Sequence, residues 1–147
     1  FNEPMDGLVY GVVVSLGFAT YENYTYVYEW AVMLAKEENF SAEKFSYIVA
    51  LARSYSAVPM HGLNGAVMGY YFGMYVFTGN KKYLYLSITL PYLFHGFYNF
   101  LPFPVSMIVI GILTIMSFLL HNDLKKKQKL KKYEREKIKI WIYLDKF

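Results

Sequence analysis

The sequence contains no cysteine and few charged residues. Because cysteine is absent, disulfides and thiolate chemistry are excluded, and the redox compartment cannot be inferred from cysteine usage. Charged residues make up 18% of the 147 residues, whereas 56% are hydrophobic. A soluble domain of this length needs more polar surface than that. The composition therefore predicts an all-α, polytopic membrane protein built as a helical bundle.

Three further absences reduce the number of protein classes to which this sequence could belong. The chain begins with Phe1 rather than Met, and no signal peptide precedes its first apolar stretch, so we expect a piece of a longer protein. Its two halves show no inverted repeat, and one carboxylate alone lies at membrane depth, which disfavours an ion or proton transporter. Nothing besides a basic tail suggests nucleic-acid binding, so we expect none.

Apolar runs predict four membrane spans, at about 8–34, 57–77, 83–101 and 105–120. Residues 121–147 hold ten Lys or Arg against four acidic residues. Such a juxtamembrane run favours the cytoplasmic side and attracts anionic lipid headgroups. We therefore expect a multi-pass protein of the cell membrane, with a helical domain at 1–120 that is incomplete at its N-terminus and a basic amphipathic cytoplasmic tail at 121–147.

Ionisable or strongly polar residues interrupt three of these spans. Glu22 and Asn23 lie in the first, His61 in the second, and His95 and Asn99 in the third. An ionisable group costs roughly 3 kcal/mol at the bilayer centre unless it faces a partner or a wet cavity. The predicted topology puts all five residues at a similar depth. We therefore expect one shared, buried polar site.

The residue types at this site suit hydrolysis by two routes. A Glu and two His from three helices could hold a zinc ion with a position open for water. Without a metal, the carboxylate could activate water while imidazole and the Asn99 amide donate to an oxyanion. The residues leave both routes open. Gly65, Gly69 and Gly73 recur every four residues, which indicates close packing of this helix against a partner.

Three motifs, in order, resemble those of a known family. The first is FxxxEN at Phe18, Glu22 and Asn23, and the second is Arg-x7-His-x7-Gly at Arg53, His61 and Gly69. The third is HxxxN/D, which matches His95 and Asn99. Together they cover roughly residues 1–100 and resemble the PrsW-type intramembrane proteases, within the wider CAAX-prenyl-protease and bacteriocin-processing superfamily.

The resemblance implies an intramembrane endopeptidase that cleaves a membrane-anchored protein, such as an anti-sigma factor, and thereby starts signalling. The residues that it implies as catalytic are Glu22, His61, His95 and Asn99. The first three of these would be the ligands if zinc is used. The residues that it implies in supporting roles are Phe18, Asn23, Arg53 and Gly69.

One family motif, EExxK, is missing from this sequence and is expected upstream of Phe1. Its glutamates are the principal catalytic acids that the resemblance implies. Two interpretations follow: a piece of a complete enzyme, or a relative that lacks activity. A catalytically inactive membrane scaffold or immunity-type binding protein of the same fold therefore stands as the alternative function.

Overall fold

The computed structural model describes residues 2–144, and the side chains of all of these except 135 and 137–144. Within that range the fold is all-α, as predicted. The helices, in chain order, are α1 (Pro4–Tyr24), a π-helical segment (Thr25–Trp30), α2 (Ala31–Glu37), α3 (Ala42–Tyr55), α4 (Ala57–Thr78), α5 (Lys81–Phe100) and α6 (Ser106–Leu144).

Local sequence explains where these helices begin and end. Pro4 opens α1, where its missing N–H would have no partner in any case, and Glu3 and Asp6 form a reciprocal capping box. Gly79 ends α4 in the left-handed conformation, with φ of 69°. One residue later, the Asn80 side chain accepts from the Lys82 N–H and caps the start of α5.

The predicted second, third and fourth spans coincide with α4, α5 and the first part of α6 to within two residues. The predicted first span, 8–34, runs through α1, the π-helical segment and most of α2. Helix α3 was not predicted, since the stretch between the first two spans was interpreted only as an outer segment. Ser41 marks its start, because its hydroxyl accepts from the Lys44 N–H.

Helix α4 is the centre of the bundle, and α1, α5 and α6 all pack on it. Against α1 the contact is backbone to backbone. A Cβ at Gly65 would collide with the Gly11 carbonyl, and one at Gly69 with the Gly7 carbonyl. This glycine seam (Gly7, Gly11, Gly65 and Gly69) brings α1 and α4 closer than larger residues would allow.

The opposite side of α4 carries the apolar core. Met60 and Val67 of α4 are fully buried together with Val109 and Leu113 of α6. Partly buried residues of α5, among them Leu90 and Phe94, close this cluster. The core therefore fixes α5 and α6 on α4, just as the glycine seam fixes α1.

One helix in the described range, over residues 106–134, is long and apolar enough to cross a membrane by length and composition. It runs through residue 120 without a break, so the predicted boundary between membrane domain and tail lies inside a continuous helix. The last residues of that predicted tail, 145–147, lie outside the described residues.

Candidate metal centre

Glu22, His61 and His95 converge although they lie on three helices. Glu22 is on the last turn of α1, His61 on the second turn of α4, and His95 near the end of α5. The glycine seam sets the spacing of the first two. Next to it, the Ser15 hydroxyl donates to the His61 carbonyl at 2.7 Å, which ties the two helices together beside the site.

The three side chains face one another around the Glu22 carboxylate. His61 Nε2 lies 3.0 Å from Oε2 of Glu22, and His95 Nε2 lies 3.7 Å from Oε1. The two imidazole rings are 5.0 Å apart, centroid to centroid. His61 is 2% exposed, and the other two side chains are mostly buried. The cluster is therefore shielded from solvent at His61 and partly accessible to solvent at Glu22 and His95.

Arg53, from the end of α3, holds the carboxylate in place. Its Nη2 is 2.5 Å from Oε2 of Glu22, and its Nε donates to Oδ1 of Asn23 at 2.6 Å. Its guanidinium carbon lies 4.0 Å from the ring centroid of Tyr26, on the π-helical segment. A planar fork that binds two acceptors and stacks on a ring has little freedom to move. Glu22 is therefore oriented by Arg53 as well as by His61.

Phe18 forms the apolar edge of the cluster. It lies one turn before Glu22 on α1, and its ring centroid is 5.6 Å from that of His61 and 6.5 Å from that of His95. Phe18 is more than half exposed, so its ring lies between the imidazoles and the outside of the bundle. An apolar ring at this position restricts the access of water to the cluster.

Asn99 contacts His95 and not the carboxylate. The Asn99 Nδ2 lies 3.2 Å from Nδ1 of His95, one helical turn before it on α5. An amide nitrogen can only donate, so in this arrangement the Asn99 N–H donates to Nδ1 and the ring hydrogen is on Nε2. A metal on Nε2 would need the hydrogen on Nδ1 and the amide turned over, so that the Asn99 oxygen accepts from Nδ1–H and orients the ring.

The three ligand atoms fit a zinc ion. Atoms about 2.1 Å from a tetrahedral zinc ion lie about 3.4 Å from one another. One ligand atom from each of Glu22, His61 and His95 lies within 4.8 Å of the others, an upper limit somewhat larger than that spacing. The two short contacts, 3.0 Å from His61 and 3.7 Å from His95, are to different oxygens of the Glu22 carboxylate. In addition, Nε2 of His95 is buried without a hydrogen-bond partner among the described residues. A buried nitrogen in that state is what a metal ligand requires before the ion binds.

A groove of about 610 Å³ lies beside the cluster, between Phe18 of α1 and residues of α5. Asn64 of α4 also contributes to its lining. The α5 residues that line it are Pro91, Tyr92, Leu93, His95, Gly96, Phe97 and Phe100. The cluster therefore has a mostly apolar cavity next to it.

Each residue predicted for the site has a place in this arrangement. Glu22, His61 and His95 form the cluster, Arg53 donates to its carboxylate, and Asn23 accepts from Arg53. Asn99 lies behind one imidazole and Phe18 in front of both, while Gly69 acts at a distance through the glycine seam.

Two residues at the site were not predicted, Tyr26 and Asn64. Asn64 is an amide within an apolar span, and the cost of burying an amide in lipid could have singled it out. Tyr26 is one of 16 tyrosines, so its contact with Arg53 has no distinctive sequence signal.

Three helices of this bundle bring together one carboxylate and two imidazoles. The fold and the site therefore define a helical protein with a candidate metal centre. The sequence model of one family, described as PrsW family intramembrane metalloprotease, matches residues 1–121. The chain therefore belongs to the PrsW family, as the three motifs predicted.

Relatives in three bacteria agree with this assignment. Protease PrsW of Clostridioides difficile (strain 630) is 30% identical over 97% of this chain and 56% of the relative. Protease PrsW of Bacillus subtilis (strain 168) is 36% identical over 88% of this chain and 54% of the relative. Protease PrsW of Geobacillus kaustophilus (strain HTA426) is 39% identical over 69% of this chain and 39% of the relative.

The chain thus spans about half the length of the first two relatives. No solved structure matches it.

Proposed function

We propose that this chain carries the metal-binding part of a zinc-dependent intramembrane endopeptidase. The observation that carries the proposal is the convergence of three ligand atoms, from three different helices, within 4.8 Å. Glu22, His61 and His95 hold the ion, which is a typical set of three protein ligands for a catalytic zinc site with one position left for water.

Each residue of the proposed site then has a defined role. Arg53 and Asn23 fix the orientation of the Glu22 carboxylate, and Asn99 fixes the ring of His95. Phe18 restricts the entry of water. Zinc, when bound, acts as a Lewis acid and lowers the pKa of a bound water. The buried surroundings strengthen every electrostatic interaction with a developing oxyanion.

We further propose a multi-pass topology in the cell membrane, with α1, α4, α5 and the first part of α6 as four spans. The basic stretch of α6 then lies in the cytoplasm, where its lysines meet anionic lipid headgroups. The exposed lysines of that stretch are Lys125, Lys126, Lys129 and Lys132. In this orientation the metal centre lies in the outer half of the membrane.

The proposed substrate is a membrane-anchored protein with a single span, such as an anti-sigma factor. Its supporting observation is the groove beside the cluster, whose lining is mostly apolar and aromatic residues of α5. An apolar stretch of a membrane-anchored polypeptide would fit such a lining. Cleavage of such a protein would start a signalling cascade.

Replacement of His95 tests the proposal directly. In proteoliposomes that contain a single-span reporter protein, the full-length protein should bind about one zinc ion per chain and cleave the reporter. His95→Ala should lose the ion and the cleavage together. His121→Ala is the matched control, because His121 lies on α6 outside the cluster. Cleavage by His95→Ala at the unchanged rate would refute the proposal.

A second candidate function has one observation in its favour. The Glu22 carboxylate already has two partners, Arg53 and His61, as a cluster that serves only helix packing would require. The chain would then be a catalytically inactive membrane scaffold or immunity-type binding protein. The same experiment separates the two, since such a protein binds no zinc and releases no product.

A further inference from the structure

The groove between α1 and α5 contains an amide whose bonding is incomplete. Asn64 is 5% exposed, and its Nδ2 donates to the carbonyl of Pro91 at 2.9 Å. Its Oδ1 is buried and has no hydrogen-bond partner among the described residues. Since a carbonyl can only accept, Nδ2 must face Pro91, and the free atom is fixed as the oxygen.

An acceptor buried without a partner destabilises the fold, because it has lost its hydrogen bonds to water and gained none in return. Asn64 has no evident structural need for its oxygen, because Nδ2 alone makes the contact between α4 and α5. Such a group is explained when a ligand supplies the missing donor. A ligand in the groove would bring that donor itself, because the described residues that line the groove are, apart from Asn64 and His95, apolar or aromatic.

The lining of the groove indicates which ligand carries that donor. Tyr92, Phe97 and Phe100 are more than half exposed along its length, and no acidic or basic side chain lines it apart from His95. Aromatic walls accept apolar side chains. An extended apolar peptide has both features, because its side chains are apolar and each non-proline residue carries a backbone N–H. A lipid acyl chain has no such donor.

We propose that the groove binds an extended, apolar stretch of the substrate polypeptide, and that Oδ1 of Asn64 accepts a hydrogen bond from one of its backbone N–H groups. Asn64 is then a positioning residue, which sets the register of the peptide relative to the cluster beside the groove. This inference rests on the proposed function, since it assigns the substrate of that reaction to a particular surface.

The test measures binding without cleavage. The probe is a short dansyl-labelled peptide of Leu, Val and Phe, together with its set of single backbone N-methyl analogues. Fluorescence titration of the purified protein in detergent micelles gives each Kd. For the unchanged protein, N-methylation at one position should weaken binding about fivefold, the usual effect of losing one hydrogen bond.

Asn64→Leu should bind the parent peptide about as weakly as that analogue, and N-methylation at the same position should then have no further effect. Equal affinity of Asn64→Leu and the unchanged protein, or the same sensitivity to N-methylation in both, would overturn the inference. The N-methyl scan of the unchanged protein serves as a second measurement if Asn64→Leu folds poorly, and equal affinity of all analogues there would also overturn it.

A matched pair of tyrosines tests the location. Tyr92 and Tyr85 are both exposed on α5, but Tyr92 alone lines the groove. Tyr92→Ala should weaken peptide binding several-fold, and Tyr85→Ala should not; equal effects would place the peptide elsewhere. The outcome is separable from that of the His95 experiment, because a protein without zinc or cleavage still shows whether Asn64 binds a backbone N–H.

Discussion

At the residue scale, the polar side chains around the Glu22 carboxylate are hydrogen-bonded to one another. Arg53 serves both Glu22 and Asn23, and His61 binds the same carboxylate oxygen as Arg53. Each group would be costly alone in an apolar environment, and each is supplied with a partner from another helix. The ion pair between Arg53 and Glu22 therefore links α3 to α1 as well as orienting the carboxylate.

The first prediction concerns the shape of the Arg53 side chain. Arg53→Lys keeps the charge but cannot bind Glu22 and Asn23 with one planar fork or stack on Tyr26 in the same way. We expect it to lower the thermal stability of the protein slightly and its zinc affinity several-fold. Arg53→Met, which leaves the carboxylate without its cation, should cost about 2 kcal/mol in unfolding free energy.

Thermal unfolding in detergent and zinc titration would measure both effects. Lys44→Met is the control, because Lys44 is an exposed cation on the same helix outside the site. Full zinc affinity in Arg53→Lys would show that charge alone, and not geometry, is what Glu22 requires.

The second prediction concerns Asn99. If the residue orients the metal-bound ring of His95 by accepting from Nδ1, then Asn99→Leu should lower zinc affinity about 10- to 100-fold. Asn99→Asp should restore it, because a carboxylate accepts the same hydrogen bond. A purely structural amide would show no such rescue. Competition with a zinc chelator gives the affinities, and equal values for the Leu and Asp variants would contradict the assigned role.

Single residues of the site differed in how well the sequence revealed them. Glu22, His61 and His95 stand out because an ionisable group in an apolar helix is costly, and matching depth on three spans then places them together. Asn99 and Phe18 follow from their spacing of four along a helix. The partner of Arg53 on the π-helical segment depends on tertiary contact alone, so no local pattern predicted it.

At the scale of elements, the glycine seam determines how closely α1 approaches α4. Gly69 lies against the Gly7 backbone, and Gly65 against that of Gly11. No flexible side chain intervenes that could move aside for an added methyl group. The helices would have to separate, and Glu22 and His61 would separate with them.

The third prediction follows from this seam. Gly69→Ala should destabilise the protein by about 2 kcal/mol, the cost of overpacking, although alanine favours helix more than glycine does. Gly62→Ala is the matched control on the same helix, because its added Cβ would meet only the side chain of Leu16 at an ordinary 3.6 Å. Thermal unfolding in detergent compares them, and equal stability of the two variants would contradict the account.

Elements were predicted well where they are apolar and uninterrupted. Helices α4 and α5 have long apolar runs bounded by Gly79–Asn80 and Pro102, so their ends are defined by sequence. Helix α3 has apolar residues at helical spacing, at Phe45, Ile48, Val49 and Ala52, so its periodicity could have predicted it. It mixes these with polar residues and lacks the uninterrupted apolar run that marked the predicted spans. The change from α to π geometry after Tyr24 was not predicted from the sequence.

At the scale of the whole molecule, the proposed four-span topology can be tested because the sequence offers a clean background for labelling. With no cysteine present, a single introduced thiol is the one site for a membrane-impermeant maleimide. The fourth prediction is that Ser41→Cys and Phe103→Cys react in intact cells. Lys81→Cys and Lys125→Cys should react only in inverted vesicles, and the opposite pattern would reverse the orientation.

The arrangement of helices around α4 has a thermodynamic consequence. Helices α1 and α4 are joined along their backbones by the glycine seam, whereas α5 packs mainly on α4 and α6 and meets α1 at the cluster, where His95 lies beside Glu22 and Phe18. The helix that carries His95 is thus also one wall of the groove. A peptide that wedges α5 outward alters the reach of that imidazole to zinc. By reciprocity, zinc must change the affinity for the peptide by the same factor.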